Sequence, residues 1–544
     1  MKPVSQFRIA LLFSLLAAGS ALATYGCGGG GGGGDGDGIS SSGSSSSGIS
    51  SGGTSSTSSG TSSSGSSSGT VTPTGALELP VAGQSVELVR YPFLQVADSP
   101  DSIRIVWATA SSGTSQAVVR PAGSSSATTV TASQAQYASG VTGITTFYQQ
   151  EALLTGLQPG GEYVYDIVHK GATLARNVPF VALKAATATS LNFIAFGDSG
   201  TQYSEPRNVR NAISSRDAIG DYVYPHDFVV GLGDIAYNTG SHAEYDANFF
   251  DQMSARGDDG DGARGILADR PFVPALANHD YDQSYANTPD GFLDSFVLPT
   301  DGVPAADAER YFSFDAGDAH FVVLDSMKFD TTDSSETANR LQAMLDWLAA
   351  DLAATTRTWR IAFFHHTIFS AGTHGTYGDI GINRLMRQKL APILQAHGVQ
   401  LAMFGHDHLY ERSKRLSVDA SGKIVRSATC NGITSNVVES TAGIVYVVAG
   451  NGGGDLYRRQ TDPTKVCGTA TYASDVANYG DGYDFVAMNG SAPALYDDYV
   501  SGEVPATPTI RHGFTHVAIA GTQLTITSYN YEGVVMDRYT MSAH

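Results

Sequence analysis

The chain has 544 residues, which is too long for one domain and indicates two globular units plus appendages. A hydrophobic fraction of 42%, with 10% aromatic residues, is enough for sizeable cores. The 52 acidic and 32 basic residues give a net charge of −20, which argues against a nucleic-acid backbone as partner, because no basic stripe is available to release counterions. A small phosphorylated ligand is not excluded, since the charge of a bound metal ion can outweigh the negative field of the whole protein.

The first 26 residues have the layout of an export signal. Lys2 and Arg8 precede an apolar run at 9–18 that is too short to span a membrane. Residues 24–27, Thr-Tyr-Gly-Cys, resemble the cleavage and lipidation site of a bacterial lipoprotein, so we predict a lipid on Cys27; cleavage after Ala23 is the alternative. In either case we expect an exported protein, in the bacterial cell envelope or secreted, that contacts a membrane only through this lipid.

Residues 27–75 form a low-complexity segment. They are nearly all Gly, Ser and Thr, and Asp35 and Asp37 are their only charges. Such a composition cannot bury enough apolar surface to offset the entropy of ordering. We predict a flexible tether between the lipid and the globular part.

Residues 76–186 have the pattern of a β-domain. Ile103, Ile105 and Trp107 alternate with polar or small residues, which is the period of half-buried strands. Residues 157–163 resemble the tyrosine-corner segment of fibronectin type III domains. Because this segment has no cluster of residues suited to catalysis or metal binding, we predict a support or spacer domain, with carbohydrate or protein binding as the alternative.

In residues 190–544, five apolar runs each end in side chains that can bind a metal. The runs are the predicted strands 191–197, 228–230, 271–277, 359–364 and 399–405. The residues that follow them are Asp198; Asp234 and Tyr237; Asn278, His279 and Asp280; His365 and His366; and His406 and His408. In open α/β sheets the ligand crevice lies beyond the carboxyl ends of the strands, so we predict that these side chains converge.

Apolar spacing predicts the elements between these runs. Helices are expected at about 206–216, through 341–352, and at about 383–397 with Gly398 as the stop. A hairpin is expected at 311–324, a further buried strand at 443–449, and hairpins around Gly521 and Gly533. The helices should pack their apolar faces on the sheet.

The types of donor suit a site with two metal ions. A carboxylate can bridge two cations, and a phenolate beside it can bind a trivalent one, so Asp234 and Tyr237 fit such a site. Each motif is weak alone: Gly197-Asp198 is a common strand end, and the Gly-His-x-His at 405–408 also suits a solvated turn. Their shared position at strand ends is what predicts a metal centre.

Taken in order, these motifs resemble the five sequence blocks of purple acid phosphatases, which are calcineurin-like metallophosphoesterases. The blocks are Gly-Asp-x-Gly at 197–200, Gly-Asp-x-x-Tyr at 233–237, Asn-His-Asp at 278–280, His365, and Gly-His-x-His at 405–408. Residues 90–95 and the strand of Trp107 resemble the N-terminal domain of the same family. The resemblance implies a fibronectin type III-like β-sandwich followed by a four-layer αββα metallophosphoesterase domain.

The resemblance also implies the ligand set. One ion, typically Fe(III), would be held by Asp198, Tyr237 and His408. A second, divalent ion (Zn, Mn or Fe) would be held by Asn278, His365 and His406, and Asp234 would bridge both. The residue types agree with this assignment, since phenolate and carboxylate are hard donors that suit Fe(III). The sequence does not identify the second metal or the oligomeric state.

The implied reaction is hydrolysis of small phosphate monoesters, of the acid phosphatase type, by a metal-activated hydroxide that attacks phosphorus in line. His279 resembles the substrate-side histidine of the family, so we expect it to stabilise the transition state or protonate the leaving alkoxide. His374 is expected to share this work, and Asn278 to contact the substrate as well. His366 is expected to support its neighbour or line the pocket.

Two other functions fit the same motifs. A phosphodiesterase or nucleotidase would use the same pair of metal ions, and Tyr237 is the residue that favours the monoesterase. A surface protein that binds phosphate compounds without turnover is an alternative of another class. The complete set of ligands argues against that alternative.

Cys430 and Cys467 are the thiols that remain if Cys27 carries a lipid. In an exported protein this even number favours a disulfide between them, and two buried free cysteines are the alternative. The residues at about 457–510 lack clear periodicity, so we expect a lid or a surface insertion that shapes the substrate mouth.

Overall fold

The computed structural model describes residues 76–138, 144–254, 265–281, 288–330, 335–370, 372, 374, 380–420, 442–457, 485–488 and 512–544. The predicted export signal, the tether, and the cysteines Cys27, Cys430 and Cys467 lie outside these residues, as does most of the region at 457–510. Across the described ranges, no helix is long and apolar enough to cross a membrane.

The N-terminal β-domain is a sandwich of two four-stranded antiparallel sheets. One sheet has the order β1-β2-β6-β5 and the other the order β4-β3-β7-β8. The strands are β1 (Leu88–Val96), β2 (Ile103–Thr109), β3 (Ser115–Pro121), β4 (Thr128–Thr131), β5 (Ser133–Ala138), β6 (Thr146–Leu154), β7 (Glu162–His169) and β8 (Ala172–Val181).

The core of the sandwich lies between its sheets and contains the predicted inward residues Ile103, Ile105 and Trp107. At the predicted tyrosine corner, the hydroxyl of Tyr163 accepts a hydrogen bond of 2.8 Å from the backbone N–H of Gln158. Such a contact ties the turn before β7 to the strand itself.

The C-terminal domain begins with three strands and a helix: β9 (Ser190–Phe196), α1 (Glu205–Ile213), β10 (Phe228–Gly231) and, after a helical stretch, β11 (Phe272–Pro274). The helical stretch comprises α2 (His242–Glu244), a π-helical turn (Tyr245–Phe250) and α3 (Asp251–Met253). The elements that follow are α4 (Asp290–Ser295), β12 (Phe312–Ala316), β13 (Ala319–Val323), α5 (Ser335–Ala354), β14 (Trp359–Phe363), α6 (Ile380–Ala396), β15 (Leu401–Phe404), β16 (Tyr410–Leu416), β17 (Ile444–Ala449), β18 (Phe485–Met488), β19 (Gly513–Ala520), β20 (Gln523–Asn530) and β21 (Val535–Ser542). Short 3-10 turns occur at Asn278–Asp280, Ala305–Asp307 and Ser326–Phe329.

These strands form two sheets. The first has the order β11-β10-β9-β19-β20-β21, in which β9, β10 and β11 are parallel. The second has the order β12-β13-β14-β15-β17-β16-β18, in which β13, β14, β15 and β17 are parallel. The parallel strands of each sheet therefore send their carboxyl ends to one edge.

Phenylalanines join the two sheets face to face. Phe193 of the first sheet lies 5.5 Å from Phe363 of the second, measured between ring centroids, and Phe228 lies 5.1 Å from Phe321. Helix α1 packs Val209 against the first sheet, and α5 and α6 cover the second sheet through a separate apolar cluster. The predicted four-layer αββα order is confirmed.

The predicted helices and hairpins are found with small shifts at their ends. The helix expected at about 206–216 is Glu205–Ile213, and the one expected at about 383–397 is Ile380–Ala396. The strand expected at 271–277 is shorter, Phe272–Pro274. A proline at each end of this strand explains the difference, since proline lacks the N–H that a sheet requires.

Candidate metal centre

The donors predicted from the strand ends converge at one edge of the two sheets. Asp198 and Asp234 follow β9 and β10, and His406 follows β15. All three have positive φ angles, of 59°, 51° and 71° respectively. This left-handed conformation is uncommon outside glycine and is held only where the surrounding structure enforces it. The chain therefore turns sharply at each of these positions.

One group of donors brings Asp198, Asp234 and His408 together. A ligand atom from each lies within 4.8 Å of the others, and all three residues are buried. The phenol oxygen of Tyr237 lies 3.3 Å from Asp198 Oδ1 and 3.0 Å from His408 Nε2. Two carboxylates, a phenol and an imidazole thus face a common point, which is a hard donor set of the kind that suits a trivalent ion.

A second group brings Asp234, His365 and His406 together within the same 4.8 Å limit. His365 Nε2 lies 3.4 Å from Asp234 Oδ1 and 3.2 Å from His406 Nδ1. Asn278 Oδ1 is buried and has no hydrogen-bond partner among the described residues. A buried amide oxygen in this state is costly, and a cation would satisfy it.

Asp234 belongs to both groups, so the geometry fits two cations that share one carboxylate. The seven predicted ligands (Asp198, Asp234, Tyr237, Asn278, His365, His406 and His408) all lie at this edge of the sheets. Their assignment as ligands remains a prediction that the donor chemistry supports.

Backbone carbonyls fix the orientation of two of the histidines. His365 Nδ1 lies 2.8 Å from the carbonyl of Leu232, and His408 Nδ1 lies 2.8 Å from the carbonyl of Asp455. A carbonyl can only accept, so each Nδ1 carries a hydrogen and each Nε2 is left to face the centre.

Several donors of the centre have shifted pKa values. Burial opposes charge on Asp234, but His365 and its neighbouring imidazoles hold the pKa of this carboxyl well below its usual range. Burial lowers the pKa of His365, but Asp234 outweighs it and raises this pKa to about 9. Burial, followed by Asp234 and Asp198, raises the pKa of the Tyr237 phenol well above its usual value. Cations that bind here must displace protons, so their affinity should rise with pH.

Asp280 supports the loop that carries Asp234 and Tyr237. Its Oδ1 accepts hydrogen bonds from the backbone N–H groups of Ile235 and Ala236, at 3.1 and 3.3 Å, and from the hydroxyl of Tyr245 at 2.7 Å. Burial, followed by Asp234, raises the pKa of Asp280 to about 7. This carboxyl lies behind the predicted ligands; the sequence had placed it among the side chains that can bind a metal, and its contacts show a supporting position instead.

Gly405 permits the close approach of two strand ends. A Cβ at this position would collide with the carboxylate of Asp198, which also accepts hydrogen bonds of 3.0 and 2.9 Å from the backbone N–H of His406. Any larger residue at 405 would displace a predicted ligand. The glycine in the Gly-His-x-His motif is therefore a requirement of packing.

The two predicted substrate histidines lie beside the donors. The backbone N–H of His279 donates to Asp234 Oδ1 at 3.0 Å, and its ring centroid lies 4.5 Å from that of Tyr237. The ring of His374 lies 4.1 Å from that of His406. His366 is buried, and its Nδ1 lies 2.8 Å from the hydroxyl of Ser326. His366 therefore lies packed behind the centre, and its supporting role stays a prediction.

A cleft of about 500 Å³ opens next to the donors and is lined by His279, Tyr237 and His408. The sequence did not identify several other lining residues: Thr201, Tyr203, Asn238, Glu244, Asn248 and Tyr457. Tyr457 lies parallel to the ring of His408 at 4.2 Å. It follows the glycine-rich segment at 450–454, directly after the buried strand β17, and this position is the sequence signal that could have identified it.

Two family models match the chain. The model for "Purple acid Phosphatase, N-terminal domain" matches residues 90–181, and the model for "Calcineurin-like phosphoesterase" matches residues 191–410. The first span lies in the β-sandwich, and the second contains the seven predicted ligands.

Similar proteins come from bacteria and plants. An uncharacterised protein of Mycobacterium tuberculosis is 29% identical over 326 residues, which are 56% of this chain and 57% of that protein. A protein of Arabidopsis thaliana named "Probable inactive purple acid phosphatase 24" is 26% identical over 331 residues, which are 56% of this chain and 49% of that protein. The match therefore spans about half the length of these relatives.

The fold also matches a solved structure. A purple acid phosphatase from yellow lupin seeds superposes with a TM-score of 0.57 and 16% sequence identity, over 83% of this chain and 74% of that chain. The β-sandwich followed by a two-sheet α/β domain is thus a fold shared with that protein.

Proposed function

We propose that this chain, which belongs to the calcineurin-like phosphoesterases of the purple acid phosphatase type, hydrolyses small phosphate monoesters with two metal ions bound side by side. The observation that carries the proposal is the pair of donor groups that share Asp234. A relative is named as inactive, but this chain keeps a donor at each of the seven predicted ligand positions. This supports an active enzyme.

The two groups differ in chemistry, which supports a mixed pair of ions. Asp198, Tyr237 and His408 would hold Fe(III), and Asn278, His365 and His406 would hold Zn, Mn or Fe as the divalent ion. When bound, two such ions supply Lewis-acid polarisation of the phosphate and activation of water. The favoured monoester substrate rests on Tyr237, whose phenol oxygen lies within 3.3 Å of both Asp198 and His408.

A side chain of the protein would supply the proton that the leaving group needs. Hydrolysis breaks the bond between phosphorus and the leaving oxygen, and that oxygen needs a proton if it belongs to an alcohol of high pKa. His279 lines the cleft beside Tyr237 and is the residue that would donate it. His374 lies against His406 and would bind the phosphate group.

We propose further that the protein is exported and tethered by a lipid on Cys27. The support is the layout of residues 1–27 and the Gly/Ser-rich segment that follows. A labelled fatty acid should enter the full-length protein in a bacterial host. A Cys27→Ala variant should carry no label, and equal labelling of both proteins would contradict the proposal.

The test of the main proposal compares a monoester with a diester on the purified full-length protein. We expect kcat/KM for 4-nitrophenyl phosphate to exceed that for bis(4-nitrophenyl) phosphate. We expect Asp234→Asn to abolish activity, because both donor groups lose their shared carboxylate. A preference for the diester, or full activity in Asp234→Asn, would contradict the proposal.

A further inference from the structure

The carboxylate of Glu244 holds a turn at the edge of the cleft. Its Oε1 accepts a hydrogen bond from the backbone N–H of Asn238 at 2.6 Å. Its Oε2 accepts from the backbone N–H groups of Thr239 and Ser241, both at 3.0 Å, and from their hydroxyls at 2.6 and 2.9 Å. Five donors from residues 238–241 therefore converge on one side chain.

This set of bonds exceeds what the start of a helix requires. In a capping box the glutamate accepts only from the backbone N–H of the N-cap residue, which is Ser241 here. The bonds to Asn238 and Thr239 lie outside the helix and reach back to the turn that follows Tyr237. Asn248 Nδ2 holds the same turn from one helical turn further along, through a bond of 2.5 Å to the carbonyl of Tyr237.

The hydrogen bonds favour the charged form of this carboxylate. Burial alone would raise the pKa of Glu244, but the hydrogen bonds from Thr239, Ser241 and Asn238 hold it below its usual value. A charged acceptor forms stronger hydrogen bonds than a neutral one, so the turn is held firmly.

The turn makes one hydrogen bond to His279, which is a predicted substrate histidine. The carbonyl of Asn238 accepts a hydrogen bond of 2.9 Å from His279 Nδ1. Because a carbonyl can only accept, this bond keeps a hydrogen on Nδ1 and leaves Nε2 as the nitrogen for the substrate.

We propose that Glu244 is a positioning residue for His279, which it serves through the carbonyl of Asn238. The inference rests on the proposed hydrolysis of monoesters. As hydroxide adds to phosphorus, the bond to the leaving oxygen breaks and its electron pair stays on that oxygen. The oxygen takes the proton from His279 Nε2, and His279 is left neutral with its hydrogen on Nδ1.

The test is a double-mutant cycle measured on two monoesters. The variants are Glu244→Gln, His279→Ala and the combination of both. Gln turns an amide N–H₂ toward the donors of the turn and so disrupts it. We expect Glu244→Gln to lower kcat/KM about tenfold for glycerol 3-phosphate, whose leaving alkoxide needs a proton. We expect less than about a twofold change for 4-nitrophenyl phosphate, whose leaving group needs none.

Coupling between the two residues is the signature of positioning. In the His279→Ala background, Glu244→Gln should cause no further loss on glycerol 3-phosphate. Ser241→Ala is the matched control, because it removes a hydroxyl from the same capping box and leaves the bonds to Asn238 and Thr239. It should change neither ester by more than about twofold. Equal losses on both esters, or additive losses in the double variant, would overturn the proposal.

A measurement without substrate separates this proposal from the proposed function. In ¹⁵N-histidine spectra of the full-length protein, His279 should carry its hydrogen on Nδ1, and Glu244→Gln should lose this preference. An unchanged tautomer in the variant would overturn the role of Glu244, whatever the activity. A wild-type protein that hydrolyses neither ester would instead contradict the monoesterase.

Discussion

His320 on β13 is clamped between two carboxylates, one on the neighbouring strand and one on helix α5. Its Nδ1 lies 2.8 Å from Asp315 Oδ1, and its Nε2 lies 2.7 Å from Asp351 Oδ2. Arg357 also contacts Asp315, at 2.9 Å. Burial lowers the pKa of His320, but the hydrogen bonds to Asp315 and Asp351 outweigh it and raise this pKa from 6.5 to about 9.

The sign and size of the effect on stability follow from this pKa. Because the folded state raises it, the contribution of His320 is fully present below about pH 6.5 and is lost as the pH rises through about 9. One pKa unit corresponds to about 1.36 kcal/mol, so the upper limit is about 3 kcal/mol. Asp315 and Asp351 are 29% and 20% exposed, so solvent screening should reduce the effect to about 1–2 kcal/mol.

Urea unfolding at pH 6 and pH 10, with metal ions kept saturating, measures this contribution. Between these pH values the wild-type protein should lose about 1–2 kcal/mol more unfolding free energy than His320→Gln. His397→Gln is the matched control, because His397 follows helix α6 (Ile380–Ala396) and is not one of the residues of the clamp; it should behave as wild type. The same pH dependence in wild type and His320→Gln would refute the reasoning.

Two further predictions follow from buried polar groups. Asn278→Ala should lose one of two bound metal ions on dialysis and most of its activity, because the second donor group loses its amide oxygen; two retained ions by elemental analysis would contradict this. Arg90→Ala should lower the unfolding free energy by about 3–5 kcal/mol, because Asp246 loses a buried ion pair of 2.6 Å. The control Arg176→Ala breaks an exposed pair and should cost under about 1 kcal/mol by urea titration; equal costs would contradict the prediction.

The residues predicted as ligands lie where strand-end reasoning put them. Asp198, Asp234 and His406 each follow an apolar run, and parallel strands bring such ends to one edge without any knowledge of the loops. The prediction required only strand direction and donor type. It did not require the left-handed backbone that these residues adopt.

The residues around the ligands were not predictable in the same way. Glu244 acts through a turn whose path depends on its own hydrogen bonds, and no spacing rule places its carboxylate beside Asn238. Tyr457 reaches His408 because the backbone N–H of Tyr457 donates to the carbonyl of His408 at 2.8 Å, a contact between distant loops. Loop conformation, rather than periodicity, decides such contacts.

The contact between the two domains was also not predicted from the sequence. Arg90 lies on β1 of the sandwich, and its guanidinium lies 4.4 Å above the ring of Phe250 in the C-terminal domain. Its partner Asp246 is 156 residues away in the chain. The β-sandwich was predicted as a support, and the buried ion pair shows how it is attached to the helical stretch that carries Glu244.

Metal content together with the visible absorption spectrum tests the central claim most directly. The purified full-length protein should contain iron and a second metal ion and show a charge-transfer band from tyrosinate to Fe(III). The band should vanish in Tyr237→Phe, while Tyr457→Phe, which changes a tyrosine of the same cleft, should keep it. Two divalent ions without the band would contradict the ferric centre, and no bound metal after reconstitution would contradict the two-metal site itself.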